Sequence, residues 1–164
     1  MGIFQITLIV ATFLCSLVAG FLFAFTVVVM PGIGNLGDGE FLRAFQVMDR
    51  VIQNNQPVFL LVWMGSVVSL LASAALGFGQ LDGTGRLLIV AAVLVYLLGV
   101  QVPTVTINIP LNNTVQAVEI DAMEVTAQEA ARRDFESRWN YWNSIRTVLA
   151  SLVTVLLIIV LIRL

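Results

Sequence analysis

Arg132-Arg133-Asp134-Phe135-Glu136-Ser137-Arg138-Trp139-Asn140-Tyr141-Trp142-Asn143-Ser144-Ile145-Arg146 carries four of the chain's eight basic residues and two of its three tryptophans, and it runs straight into an uncharged apolar segment. At helical pitch Arg132, Glu136, Trp139, Asn143 and Arg146 fall on one stripe, stepping by 4, 3, 4 and 3. Asn143 and Arg146 lie where a bilayer would begin. An arginine near the centre of a membrane helix costs roughly 2.5–3.5 kcal/mol, so such a stripe faces protein or water rather than lipid. A membrane helix with an N-terminally extended, polar head is the expectation, and the stripe is the candidate site.

The whole chain fits that reading. It has 164 residues, 59% of them hydrophobic and 11% charged, with a mean hydropathy of +0.98, which places it among integral membrane proteins as one domain spanning 1–164. A net charge of -2 and the absence of lysine give no footing for nucleic acid or for Schiff-base chemistry. With no histidine and only Cys15, the chain cannot build an internal disulfide, a Cys/His zinc site, a histidine-ligated haem or a histidine-containing dyad. No metal and no cofactor is expected. Cys15, inside an apolar helix, reads as a small buried hydrophobe.

Four spans are expected, at about 3–30, 57–78, 86–107 and 144–162. The first is too long for a signal-peptide core, and Ser16 and Gly20 on it are spaced to admit a neighbouring helix. Pro31-Gly32 with Gly34, Gly37 and Gly39 breaks it. Phe41, Ala44, Phe45, Met48, Val51 and Ile52 then recur at 3 and 4, predicting a short amphipathic helix with Arg43, Gln46, Asp49, Arg50 and Gln53 on its other sides. Gly65, Ser69, Ser73 and Gly77 make a small-residue row on span two, the mark of a packing groove. Pro103 and Pro110 should kink or unwind the polar end of span three. The fold class is therefore all-α, a bundle of four transmembrane helices. Arg43, Arg50, Arg132, Arg133, Arg138 and Arg146 lie on one side of the spans, and Arg86 and Arg163 on the other. The positive-inside bias then puts the first and third connectors in the cytoplasm of a cell-membrane protein with both termini outside.

Alternating spans bring the polar clusters to one end. Gln46, Arg50 and Asn54 can meet Gln101, Thr106, Asn108 and Asn112 and the stripe Glu136, Trp139, Asn143 and Arg146, forming a polar, aromatic-lined cavity. Against this stands a plainer account in which Trp139 and Trp142 anchor a helix at the interface and the amides only cross-link helices.

Met30-Pro31-Gly32, Phe45-Gln46-Val47-Met48, Thr106-Ile107-Asn108-Ile109-Pro110-Leu111-Asn112 and Trp139-Asn140-Tyr141-Trp142-Asn143-Ser144-Ile145-Arg146 resemble, in this order, the anthrone oxygenase-like family of small four-helix membrane proteins. The resemblance extends over essentially the whole chain. It implies oxidation of an anthrone to an anthraquinone by molecular oxygen, without a metal or flavin. Polyketide-pathway members of the family carry histidine near the last motif; here Asn143 and Arg146 stand there, so the usual base is absent. An anthrone is acidic at its benzylic carbon, and its oxidation needs a base and a cation to hold the enolate. Glu136 and Arg146 are the candidates on the stripe, yet ten residues put them about 15 Å apart on a straight helix. Arg146 with Asn108 or Asn143 holding a phenolate, carbonyl or lipid head group demands less. The preferred reading is thus a membrane protein whose cavity binds a small aromatic or lipid-like ligand among membrane lipids, with cofactor-independent oxidation as the alternative. A transporter would need a homo-oligomer to enclose its path, and no internal repeat is present.

Overall fold

A computed structural model of the chain describes residues 2–164 and contains five helices: α1 Ile3–Ile33, α2 Asp38–Gln53, α3 Pro57–Gly77, α4 Gly83–Gln116 and α5 Val125–Ile162. All but α2 are long and apolar enough to cross a membrane, so this is a multi-pass membrane protein. The four spans form a closed ring in which α1 packs on α3 and α5, and α4 packs on α5 and α3. Their inward faces make one apolar core from Phe4, Leu8, Cys15, Leu70, Ile89, Tyr96, Val153 and Leu157. Outward residues such as Phe13, Val28, Leu61, Val68, Leu87 and Val148 stay exposed, as expected of a belt facing acyl chains.

The small-residue row of α3 lies against α1. A Cβ on Gly65 would meet Leu14 Cδ1 at 3.0 Å, and one on Gly77 would fall inside the van der Waals radius of the Phe4 ring. Ser16 and Gly20 do not act in the same way: Gly20 faces open space and Ser16 Oγ donates to its own helix at Phe13 O, 2.7 Å away. Small residues mark an approach only when the rest of that helical face is also turned inward, and Gly20 is on the outer face of α1.

The break expected at Pro31-Gly32 with Gly34, Gly37 and Gly39 comes just after Ile33, and the unwinding expected at Pro103 and Pro110 takes the form of wider turns rather than a stop. Both α1 and α4 run on through Pro31, Pro103 and Pro110, because each proline is preceded by a widened, π-type turn, at Phe25–Val29, Val95–Gln101 and Thr104–Asn108. The residue just before each proline donates five residues back: Met30 N–H to Phe25 O, Val102 N–H to Leu97 O and Ile109 N–H to Thr104 O. A proline inside an α-helix clashes with the carbonyl four residues earlier and leaves it unpaired. Widening the preceding turn moves that carbonyl aside, so the helix continues. As a result α4 reaches Gln116 rather than ending near 107.

Loops fix the two ends of the bundle. Asp82 Oδ1 accepts from Gly85 N–H at 2.7 Å, capping α4, while Asp82 Oδ2 accepts from Arg163 Nη2 at 2.8 Å, tying that cap to the end of α5. The cap hydrogen bond, with Arg163 beside it, holds the Asp82 carboxyl below the usual carboxylate range. At the other end Asn55, at φ 58, makes the left-handed turn between α2 and α3, a conformation asparagine tolerates better than most residues. There α2 lies across the projecting head of α5, and Phe41, Phe45, Phe135 and Trp139 form a second core with Met30, Val115 and Ile120.

Candidate functional site

Between these two cores is a cavity of about 240 Å³ walled by Phe21, Leu22 and Phe25 of α1, Phe45, Asp49 and Ile52 of α2, and Phe59, Leu60 and Trp63 of α3. From α4 come Thr104, Asn108, Ile109 and Asn112, and from α5 Trp139, Asn143 and Arg146. Every helix contributes. The aromatic wall is continuous: ring centroids are 4.9 Å apart for Phe21 and Phe25, 5.7 Å for Phe25 and Trp139, 5.5 Å for Phe45 and Trp139, 5.4 Å for Phe21 and Phe59, and 5.4 Å for the stacked pair Phe59 and Trp63. Such walls favour flat, apolar guests.

Arg146 is only 4% exposed. Its Nη1 donates to Thr104 Oγ1 at 2.8 Å and its Nη2 to Asn143 Oδ1 at 2.9 Å, while Nε, also buried, has no partner among the described residues. No carboxylate among the described residues lies within 4.0 Å of it. The neighbouring groups hold it firmly all the same. Asn143 Nδ2 donates to Leu22 O at 3.1 Å and Thr26 Oγ1 at 2.8 Å, which turns its carbonyl oxygen toward Arg146. Thr104 Oγ1 donates to Val100 O at 2.7 Å, leaving its lone pairs for the guanidinium. A buried cation held only by neutral groups keeps most of its charge available for an anion.

A second polar group stands elsewhere on the same wall. Asp49, 5% exposed, accepts from Asn112 Nδ2 at 2.7 Å through Oδ1, and from Gln53 Nε2 at 2.7 Å and Gln116 Nε2 at 3.0 Å through Oδ2. Trp139 Nε1 donates to Asn112 Oδ1 at 2.8 Å, so the tryptophan fixes which end of that amide faces Asp49. Asn108 Nδ2 reaches Trp139 O at 3.4 Å, and Asn108 Oδ1 is buried without a partner among the described residues.

Of the residues singled out in the sequence, Asn108, Asn112, Trp139, Asn143 and Arg146 border this cavity. The others do not. Gln46 donates to Val115 O and Val118 O at 2.7 and 2.9 Å, closing the C-terminal end of α4. Gln101 accepts from Trp63 Nε1 at 2.9 Å behind the wall, its own Nε2 unpartnered among the described residues. Asn54 is exposed beyond the end of α2, and Arg50 lines a separate surface groove with Arg43 and Asp121. Thr106 is exposed and bonds back to Val102 O, since two residues along a helix are about 200° apart and Asn108 already takes the inner face. Glu136 accepts from Arg132 Nε at 2.7 Å. Arg132 also donates to Gly34 O and Leu36 O and covers the Phe41 ring at 4.4 Å, so the first half of the stripe clasps the α1–α2 turn.

Asp49 is a cavity residue that sequence reasoning misses, since it groups Asp49 with the polar positions on the other sides of α2. A signal was present: Phe41, Phe45 and Asp49 are four apart, which puts an acid on the apolar stripe. Among the described residues no three His, Cys, Asp or Glu side chains converge as metal ligands. A family model described as anthrone oxygenase matches residues 45–156, which include the cavity residues of α2 to α5 but not those of α1. No curated protein and no solved structure matches the chain.

Proposed function

Because the chain belongs to the anthrone oxygenase family, we propose that its cavity takes up a flat, weakly acidic aromatic ketone or phenol and oxidises it with molecular oxygen. The observation that carries this reading is Arg146, a buried cation that no carboxylate pairs with, on the wall of a cavity lined mainly by aromatic and aliphatic side chains. Removing a proton from the benzylic carbon of an anthrone moves charge onto its oxygen, and a fixed guanidinium stabilises that charge in the transition state more than in the ground state. Among aromatic and aliphatic walls the effective dielectric is below that of water, and the stabilisation is correspondingly larger. The electrons come from the substrate and the oxidant is O2, so the reaction as proposed calls on no further cofactor. At about 240 Å³ the cavity lies just below the roughly 300–1,000 Å³ range of ligand pockets, which limits a guest to two or three fused rings.

The test is direct. Purified protein in lipid nanodiscs should consume O2 and form anthraquinone from anthrone faster than empty nanodiscs. Quenching of tryptophan fluorescence by the aromatic without any turnover would leave a ligand-binding protein and reject the oxygenase.

A further inference from the structure

We infer that Asp49 is the general base of this site and that Arg146 holds the oxygen on which the charge settles; this rests on the oxygenase reading above. The two side chains are the ionisable groups of the cavity wall, they have opposite sign, and they are not joined to each other. An ion pair between them would silence both. Here each is instead held by neutral partners: Arg146 by Thr104 and Asn143, Asp49 by three side-chain amides. A carboxylate offers about four acceptor positions, and three of those on Asp49 are occupied, one on Oδ1 and two on Oδ2. One position on Oδ1 remains for a substrate proton. The donor to that oxygen is set by Trp139, whose N–H orients the Asn112 amide, so the base and the aromatic wall are built as one unit.

The chemistry balances with O2 as the sole oxidant. Asp49 takes a proton from the benzylic CH2, and the C–H electron pair enters the ring system to give an enolate whose oxygen rests against Arg146. The enolate passes one electron to O2, the radical pair forms the C–O bond, and the resulting peroxide anion recovers the proton from Asp49. Asp49 then removes the second benzylic proton; that C–H pair becomes the new C=O as the O–O bond breaks, and the departing hydroxide is protonated by Asp49 to water. One anthrone and one O2 become one anthraquinone and one water.

The experiment separates proton removal from oxidation by following exchange of the benzylic protons of anthrone in D2O without air, by NMR, on the full chain in nanodiscs. Wild-type protein should accelerate exchange. Asp49→Asn should lose it by a hundredfold or more, within the range of a general base, while anthraquinone still quenches its tryptophan fluorescence. Asp49→Glu retains the charge and its acceptors and shifts the base by one methylene, so exchange should fall about tenfold or more. Folded Asp49→Asn, or Asp49→Glu, exchanging at the wild-type rate overturns the assignment. Wild-type protein that forms anthraquinone in air without accelerating exchange removes the role of Asp49 alone; failure to form any anthraquinone removes the oxygenase reading with it.

Discussion

Arg146 sets the problem at the scale of single residues, because a guanidinium 4% exposed inside an apolar bundle is tolerated only where something returns its desolvation cost. Two neutral hydrogen bonds return part of it, and Nε is left over. If a bound anionic oxygen supplies the rest, the planar fork matters and not the charge alone. Arg146→Lys should then weaken ligand binding or turnover by tenfold or more with little change in melting temperature, since lysine keeps the charge but cannot bond Thr104, Asn143 and a ligand in one plane. Thermal stability with and without anthraquinone, for parent and variant, measures this; equal ligand-induced shifts would take Arg146 out of the site. The half of the site on α5 was legible because Trp139, Asn143 and Arg146 share a helical stripe that leads into a membrane span. Asp49 was not, because a polar residue on a short amphipathic helix reads as solvated until the head of α5 and the end of α4 are laid over it. Glu136 shows the converse. It shares the stripe, yet Arg132 claims it and the clasp with the α1–α2 turn holds both outside the cavity.

At the scale of elements, the prolines and the small residues show what local pattern decides and what it leaves open. Proline in a helical run demands an answer to a missing N–H and a ring clash, but whether the answer is a break or a widened turn depends on what surrounds it. In this bundle α4 packs on α5 and α3 and, over its last two turns, on α2, so continuing costs less than exposing backbone to lipid. Two of the three widened turns border the cavity: Phe25 begins one, and Thr104 and Asn108 begin and end another. Small residues are ambiguous in the same manner, and a matched pair of substitutions tests the reading. Gly77→Ala should destabilise the bundle by about 1–3 kcal/mol, since its methyl group would run into the buried Phe4 ring. Gly20→Ala, with nothing within 4 Å, should be neutral or mildly stabilising, as alanine is the better helix former. Unfolding in mixed detergent reads both. Equal losses from the two would mean that α1 and α3 do not approach as closely as their glycines allow.

For the whole molecule, the four spans were plain from length and hydropathy, because a bilayer leaves a chain few ways to satisfy its backbone. Orientation is a finer matter, and the structure changes the count on which it rests. Of six arginines at the end that holds the cavity, Arg146 is buried in the bundle and Arg132 is partly buried against Glu136, Gly34 and Leu36, which leaves Arg43, Arg50, Arg133 and Arg138 exposed against Arg86 and Arg163 at the opposite end. The bias falls from six against two to four against two and keeps its sign, so the cavity end is expected in the cytoplasm with both termini outside. The native Cys15 is buried, which gives labelling a silent background. Cysteine placed at Glu119 or Val125, both exposed at the cavity end, should be protected from an impermeant maleimide in intact cells, and cysteine at exposed Thr84 should react. The opposite pattern would turn the molecule over, and the proposed site would then draw its aromatic substrate from the outer leaflet rather than the inner one.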